Sequence, residues 1–328
     1  MNESDIPVEQ LCHMAQSEDK LVRCKAAINP ATPAEMLRVL AKDEDRHVRC
    51  ELAKNLAAPA ENLRILAEDE NGYVRFAVAK NPAAPTEGLC ILAKDKDRDV
   101  RLKVAENPAV SVASLCILTK DEDGDVRLKA VKNPAVSVES LRILAKDEDR
   151  RVRLEVARNP AAPAETLCIL VEDEDRDVRS KVARNFTTPV ERLHILAKDK
   201  DWDVRRAVAR RCAAERNPAT PVEVLRILAE DEDWVVRRMV AENPAIPVEI
   251  LRILAKDEEK DVRCAVAGNR ISPCDALALL VRDDDPEIRR AVAENPGTPL
   301  DTLAVLAEDL DSDVAEAALQ RFYAEGNP

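Results

Sequence analysis

Residues 159–184 read NPAAPAETLCILVEDEDRDVRSKVAR, and the meaning of this stretch decides the fold. Pro163 suits the first position of a helix, where its missing N–H costs nothing, and Glu165 follows in the first turn near the positive end of the helix dipole. Leu167 and Leu170 or Val171 then share one face at helical spacing, which predicts a helix A of about nine residues. The second Asp of Asp173-Glu174-Asp175 predicts the start of a helix B, because the variant Asp285-Pro286-Glu287-Ile288 places Asp at an N-cap and Pro directly after it. Asp97, Asp123 and Asp149 are expected to cap in the same way. Val178, Val182 and Ala183 supply the inner face of helix B. Asn185, like Asn159, closes it by accepting unusual backbone dihedrals and hydrogen-bonding exposed carbonyls. Where Thr precedes the proline, as in Thr32-Pro33-Ala34-Glu35 and Thr188-Pro189-Val190-Glu191, the pattern reads as a capping box.

The stretch is one copy of a repeat. Val-Arg recurs every 26 residues from Val22-Arg23 to Val204-Arg205, resumes after 32 at Val236-Arg237, and keeps its period to Val314-Ala315. This gives twelve units and one six-residue insertion. One unit carries about five large apolar side chains, each contributing about 1.5 to 3 kcal/mol on burial, against about 1 to 2 kcal/mol of backbone entropy per residue. A unit therefore cannot fold alone, and stacking must join the apolar columns into one continuous core. The expected fold is an all-α superhelical solenoid of twelve two-helix repeats without β-sheet, an arc roughly 100 Å long at ordinary helix spacing. It is read as a single array over 1–328, with a first repeat at 1–30, the insertion at 210–215 in the eighth repeat, and a C-terminal capping repeat at 300–328, where Ala315 and Phe322-Tyr323 break the pattern.

Composition excludes several classes. Aromatic residues make up 2% of the chain and there are six glycines, too little material for a many-stranded β protein or for phosphate-binding loops. The net charge of −13 opposes general binding to nucleic acid or anionic membranes. Nine cysteines without a C-x-x-C pair, and no signal peptide, predict reduced thiols in a cytoplasm. No apolar run reaches the ~18 residues of a membrane span.

The combination of Val74-Arg75, Asn81-Pro82, Pro85-Thr86-Glu87 and Leu89-Cys90-Ile91-Leu92, recurring from about residue 5 to 322, resembles the leucine-rich repeat variant (LRV) family of bacterial proteins. The resemblance implies a right-handed superhelix in which α-helices alternate with short, sometimes 3₁₀, helices, and implies little about biochemical role. A family member carries an N-terminal iron–sulfur domain. Here Cys12 and Cys24 lie inside the first regular repeat and the four clustered thiolates are missing, so no cluster is expected. The D-x-D-x-x-V-R segment is also similar to HEAT-type repeats, including those of bilin lyases and of one class of DNA glycosylases.

Runs such as Asp121-Glu122-Asp123-Gly124-Asp125 look like calcium loops, but the sixth residue is Val126 where an EF-hand needs Gly. The simpler reading has the second Asp capping helix B while the first joins the repeated Arg in a ladder of ion pairs between units. Cys12, Cys90, Cys116 and Cys168 share one column and Cys24, Cys50 and Cys264 another, and even thiols of adjacent repeats such as Cys90 and Cys116 stand roughly 10 Å apart, too far for a disulfide. His13, His47 and His194 are dispersed. No catalytic residue, cofactor site or metal set is expected.

The insertion, around Arg210-Arg211-Cys212-Ala213-Ala214-Glu215, is the one irregular place, and its composition predicts about one and a half extra turns of helix B. Trp202 and Trp234 flank it in one exposed column, among Arg205, Arg206, Arg210, Arg211, Arg216, Arg237 and Arg238. Exposed Trp with Arg is the chemistry of an interface hot spot, and it equally serves to cover the aliphatic stems of the Arg side chains. The preferred function is a non-enzymatic scaffold for a protein or peptide, with Trp202, Trp234, Arg206, Arg210, Arg211 and Arg238 as its contact residues. The alternative is a HEAT-like, glycosylase-type DNA-binding enzyme using the same patch, which the overall charge opposes. The oligomeric state is left open.

Overall fold

The computed structural model describes residues 6–214 and 222–325 and contains, among these, 24 α-helices and no strand. They form the twelve expected pairs, A followed by B. The chain divides into two compact units, Met1–Ala162 and Pro163–Pro328. A repeat touches only its sequence neighbours, so contacts do not tie distant repeats into one body as they do in a globule.

In the first unit the A helices include α3 (Ala34–Leu40), α5 (Ala60–Leu66) and α7 (Thr86–Leu92), and the B helices include α4 (Arg46–Lys54), α6 (Gly72–Lys80), α8 (Arg98–Glu106) and α10 (Gly124–Lys132). The B helices pack side by side more extensively than the A helices do. Leu63, Leu66, Val74, Val78, Leu89, Leu92, Val100 and Val104 are buried in one continuous core. The second unit repeats the scheme with Leu167, Leu170, Val178, Val182 and Ala183 buried in the columns expected of them.

Three local expectations change. Helix A is seven or eight residues long and wholly α-helical, with no 3₁₀ helix among the described residues, and Pro163 stands at the N-cap instead of the first helical position. The Thr capping boxes do not form, because Thr32 and Thr188 lie one residue ahead of that N-cap proline. Their hydroxyls donate instead to carbonyls in the last turn of the preceding helix B, Ala26 O at 2.7 Å and Val182 O at 2.6 Å, each of which also accepts the N–H of the closing Asn. Ser111 and Ser137, where Ser replaces Pro, cap their helices directly.

Helix B starts as expected. Asp97, Asp123, Asp149, Asp175 and Asp285 all accept a backbone N–H from the first turn. The closing Asn takes no unusual dihedral: Asn81 has φ −75° and ψ 120°, an extended conformation. Its side chain instead crosses between repeats. Asn81 Nδ2 donates to Ala53 O (2.8 Å) and Asn55 O (3.1 Å) of the preceding unit while Oδ1 accepts from Ala83 N. Asn107 and Asn295 repeat the arrangement.

Candidate interaction surface

The polar columns must be accounted for before any residue can be assigned to a partner. Arg101, 8% exposed, forms a two-point pair with Asp121 of the next repeat (Nε–Oδ2 2.7 Å, Nη2–Oδ1 3.0 Å), and its Nη1 donates to Asp95 O at 2.9 Å. Asp121 Oδ1 in turn accepts from Asp123 N. The same unit of structure joins Arg49 to Asp69, Arg75 to Asp95, Arg179 to Asp199, Arg237 to Asp257 and Arg289 to Asp309. The expected ladder is therefore present, and the guanidinium and carboxylate groups of this column are engaged with each other. Arg289 beside Asp309 holds that carboxyl below the ordinary range, and Asp121 in turn raises the pKa of Arg101 by accepting its hydrogen bonds.

In the second unit the ladder survives the insertion. Arg205 pairs with Asp231, 26 residues on instead of 20, at 2.6 Å. The helix carrying it, α16 (Trp202–Ala214), is 13 residues long against nine in regular repeats, one additional turn up to Ala214. Glu215 and Arg216 lie outside the described residues.

Trp202 is 40% exposed, and the guanidinium of Arg206, one turn further along α16, lies 4.7 Å from its ring centroid. Trp234 opens the next B helix, α18 (Trp234–Ala241), half-buried, with Arg238 5.8 Å from its ring. Each Trp thus covers an Arg of its own helix. Arg206 is also paired with Asp203 and Arg238 with Glu242. Arg210 is exposed.

Arg211 is not placed to meet a partner, contrary to the expectation. It is 5% exposed and occupies the column of the closing Asn, where it donates to Asn185 O (2.8 Å) and Thr188 O (3.0 Å) of the preceding repeat. Arg321 takes the same column near the C-terminus and donates to Asn295 O. In both places an Arg performs the inter-repeat task of the Asn side chain. The position seven residues after Val204 and Val314 is the signal that identifies both.

Among the described residues no cysteine is in a disulfide; Cys212 is buried and Cys274 exposed. Among the described residues there is no group of three His, Cys, Asp or Glu side chains able to hold a metal ion, and no helix long and apolar enough to cross a membrane. Residues that the sequence reading did not single out, Leu56, Tyr73 and Phe76, line a cleft in the first unit. They could have been suspected from the loss of proline after Asn55 and from the two rings standing three residues apart.

Stacked two-helix repeats, welded by Asn and by Arg–Asp columns, define a helical-repeat protein. The LRV family model (leucine rich repeat variant) matches residues 150–175 and 286–311, and the HEAT-repeat model matches 189–247. A solved structure described as a leucine-rich repeat variant with a novel repetitive structural motif is 31% identical, with 70% of this chain and 88% of that one aligned at a TM-score of 0.53. The chain belongs to the leucine-rich repeat variant family. Weaker likenesses include a Kap121p mutant (14% identity, 95% of this chain and 45% of that one, TM-score 0.43). Importin beta is another (13%, 94% and 51%, TM-score 0.38). No curated protein matches the chain.

Proposed function

We propose that this chain is a non-enzymatic scaffold that binds a protein or peptide through the exposed face of its helices, with Trp202 and Trp234 as an anchor. The observation that carries the reading is the contrast between the repeated polar columns, which are engaged within the stack, and Trp202, which remains 40% exposed in a column that needs no ring. Arg206 and Arg238 hold the two rings in place and present a mixed apolar and cationic surface. Arg205 and Arg237 are engaged with Asp231 and Asp257, and Arg211 with carbonyls, so few of the nearby cations remain for a phosphate backbone. Nine cysteines outside any disulfide suit a reducing, cytoplasmic setting.

The test is quantitative capture from the source organism's lysate by the wild type and by the Trp202→Ala/Trp234→Ala variant, after circular dichroism has shown equal helicity. A protein captured by the wild type and lost by the variant is the expected result. The same partner on both places binding elsewhere on the scaffold, and capture of none by the folded wild type ends the scaffold reading.

A further inference from the structure

Between α4 and α6 of the first unit the surface opens into a cleft of about 560 Å³ lined by Cys50, Lys54, Leu56, Tyr73, Phe76 and Lys80. Leu56 is 66% exposed and Tyr73 73% exposed, both large apolar surfaces in contact with water. A second cleft of about 370 Å³ shares Cys50, Lys54 and Tyr73 with it and adds Arg46, His47 and Glu51, so that the two form one groove. The guanidinium of Arg46 stands 6.0 Å from the Tyr73 ring centroid.

The charges around this groove depart from the rule that governs its neighbours. Elsewhere in this unit the base that ends a B helix meets a carboxylate, either three residues earlier or in the next B helix. Lys132 faces Glu155 across the repeat, and Arg158 meets Glu155 within its own helix. Lys54 follows the rule through Glu51 at 2.7 Å. Lys80 does not: the residue three before it is Ala77, and the place of Glu155 is taken by Lys103, itself paired with Glu106. Lys80 is exposed and has no ion-pair partner among the described residues. The rim thus carries Arg46, Lys54 and Lys80 against the single carboxylate Glu51, with His47 beside Asp45, in a chain of net charge −13.

We infer that this groove is a docking site for an acidic peptide segment that inserts an apolar side chain between Leu56, Tyr73 and Phe76 and places a carboxylate on Lys80. The inference rests on the scaffold reading and names a partner chemistry for it, at a site distinct from the tryptophans. The ring and leucine surfaces supply the apolar contact, and the unmatched cation supplies the sign that selects an acidic ligand over a basic one. A carboxylate on Lys80 makes the pair that the repeat makes for itself at Lys132.

The test uses fluorescein-labelled pools of short peptides with a central Leu-Phe pair flanked by Glu and Asp, by Ser and Asn, or by Lys and Arg, titrated with the full chain and read by anisotropy. Saturable binding of the acidic pool alone is expected, weakened at least about tenfold by Lys80→Glu and by Tyr73→Ser, and unchanged by Trp202→Ala/Trp234→Ala. Both substituted side chains are exposed, so the core is left intact, and circular dichroism checks this. No saturation by the acidic pool, equal binding of the neutral or basic pool, or indifference to Lys80→Glu overturns the inference. The two readings fail separately. Peptide failure with a lysate partner still captured removes the groove alone, whereas the folded wild type capturing no partner removes the scaffold.

Discussion

Replacing Asp121 by Asn tests whether the Arg–Asp column welds the repeats or merely decorates them. The Arg101 and Asp121 side chains are 10% and 6% exposed, which puts this pair far nearer the buried than the surface class of ion pairs. Breaking one partner of a buried pair costs about 3 to 5 kcal/mol, against about 0 to 1 kcal/mol at a surface. Asn retains an acceptor for Asp123 N but removes the charge that holds the guanidinium, so Asp121→Asn is expected to cost about 2 to 3 kcal/mol. Arg101→Met should cost a similar amount by leaving a half-satisfied carboxylate. The double variant should cost less than the two together, with a coupling of at least about 2 kcal/mol, because neither charge is then left alone. Urea unfolding followed by circular dichroism gives the stabilities. Hydrogen exchange in α8 and α10 localises the loss, which matters because repeat arrays need not unfold in one step. Glu139→Gln, at an exposed pair with Arg142, is the control and should change stability by less than about 0.5 kcal/mol. Additive single costs below about 1 kcal/mol each would refute the reasoning.

Four further outcomes are expected. Asn81→Ala strands the buried Ala53 O of the preceding repeat and leaves Asn55 O with Ala58 N alone, and should cost about 1 to 2 kcal/mol by urea unfolding. Asn62 in α5 is fully buried and neither its Nδ2 nor its Oδ1 has a partner, while Val224 and Ile250 occupy the same column in the second unit; Asn62→Val should therefore stabilise by about 1 kcal/mol, and a destabilised variant would show that the amide is satisfied. Asp309 has its folded pKa depressed by the hydrogen bond from Arg289, so its contribution is complete above the ordinary value of 3.8 and is lost as pH falls below it; Asp309→Asn should flatten the decline in stability between about pH 5 and pH 3. Fluorescence anisotropy with duplex DNA should show no salt-sensitive binding, since the Arg column is engaged with Asp, and a steep salt dependence would reopen the DNA-binding alternative.

How far the sequence could be read is clear from the columns themselves. Leu167, Leu170, Val178 and Val182 are buried because a 26-residue period forces the same faces together in every unit, and the caps at Asp97 and Asp123 are equally local. The Arg–Asp ladder was legible for the same reason, since a strict repeat makes the neighbour's residues as predictable as its own. The site was less legible. Trp202 and Trp234 stood out as departures from the period, but Arg211 beside them was misread as a contact residue because its composition suggests exposure. The groove at Tyr73 was not singled out, because Leu56, in the proline column, and the ring pair Tyr73 and Phe76 lie in different columns and come together only where two B helices pack.

The sequence by itself determined the repeat count, the pairing of helices, the apolar core and the ion-pair ladder, since all of these follow from local helix signals multiplied by a constant period. Only the tertiary structure decided that Asn81 reaches across to the preceding repeat, that Thr32 turns back to helix B, and that Arg211 lies buried on carbonyls in the second unit. It also decided that Lys103 turns to Glu106 and that Lys80 has no ion-pair partner among the described residues. These outcomes depend on where side chains of successive repeats meet in space. A one-residue shift of the helix start, from Pro at the first helical position to Pro at the cap, was enough to send the Thr hydroxyls to carbonyls that no local pattern names.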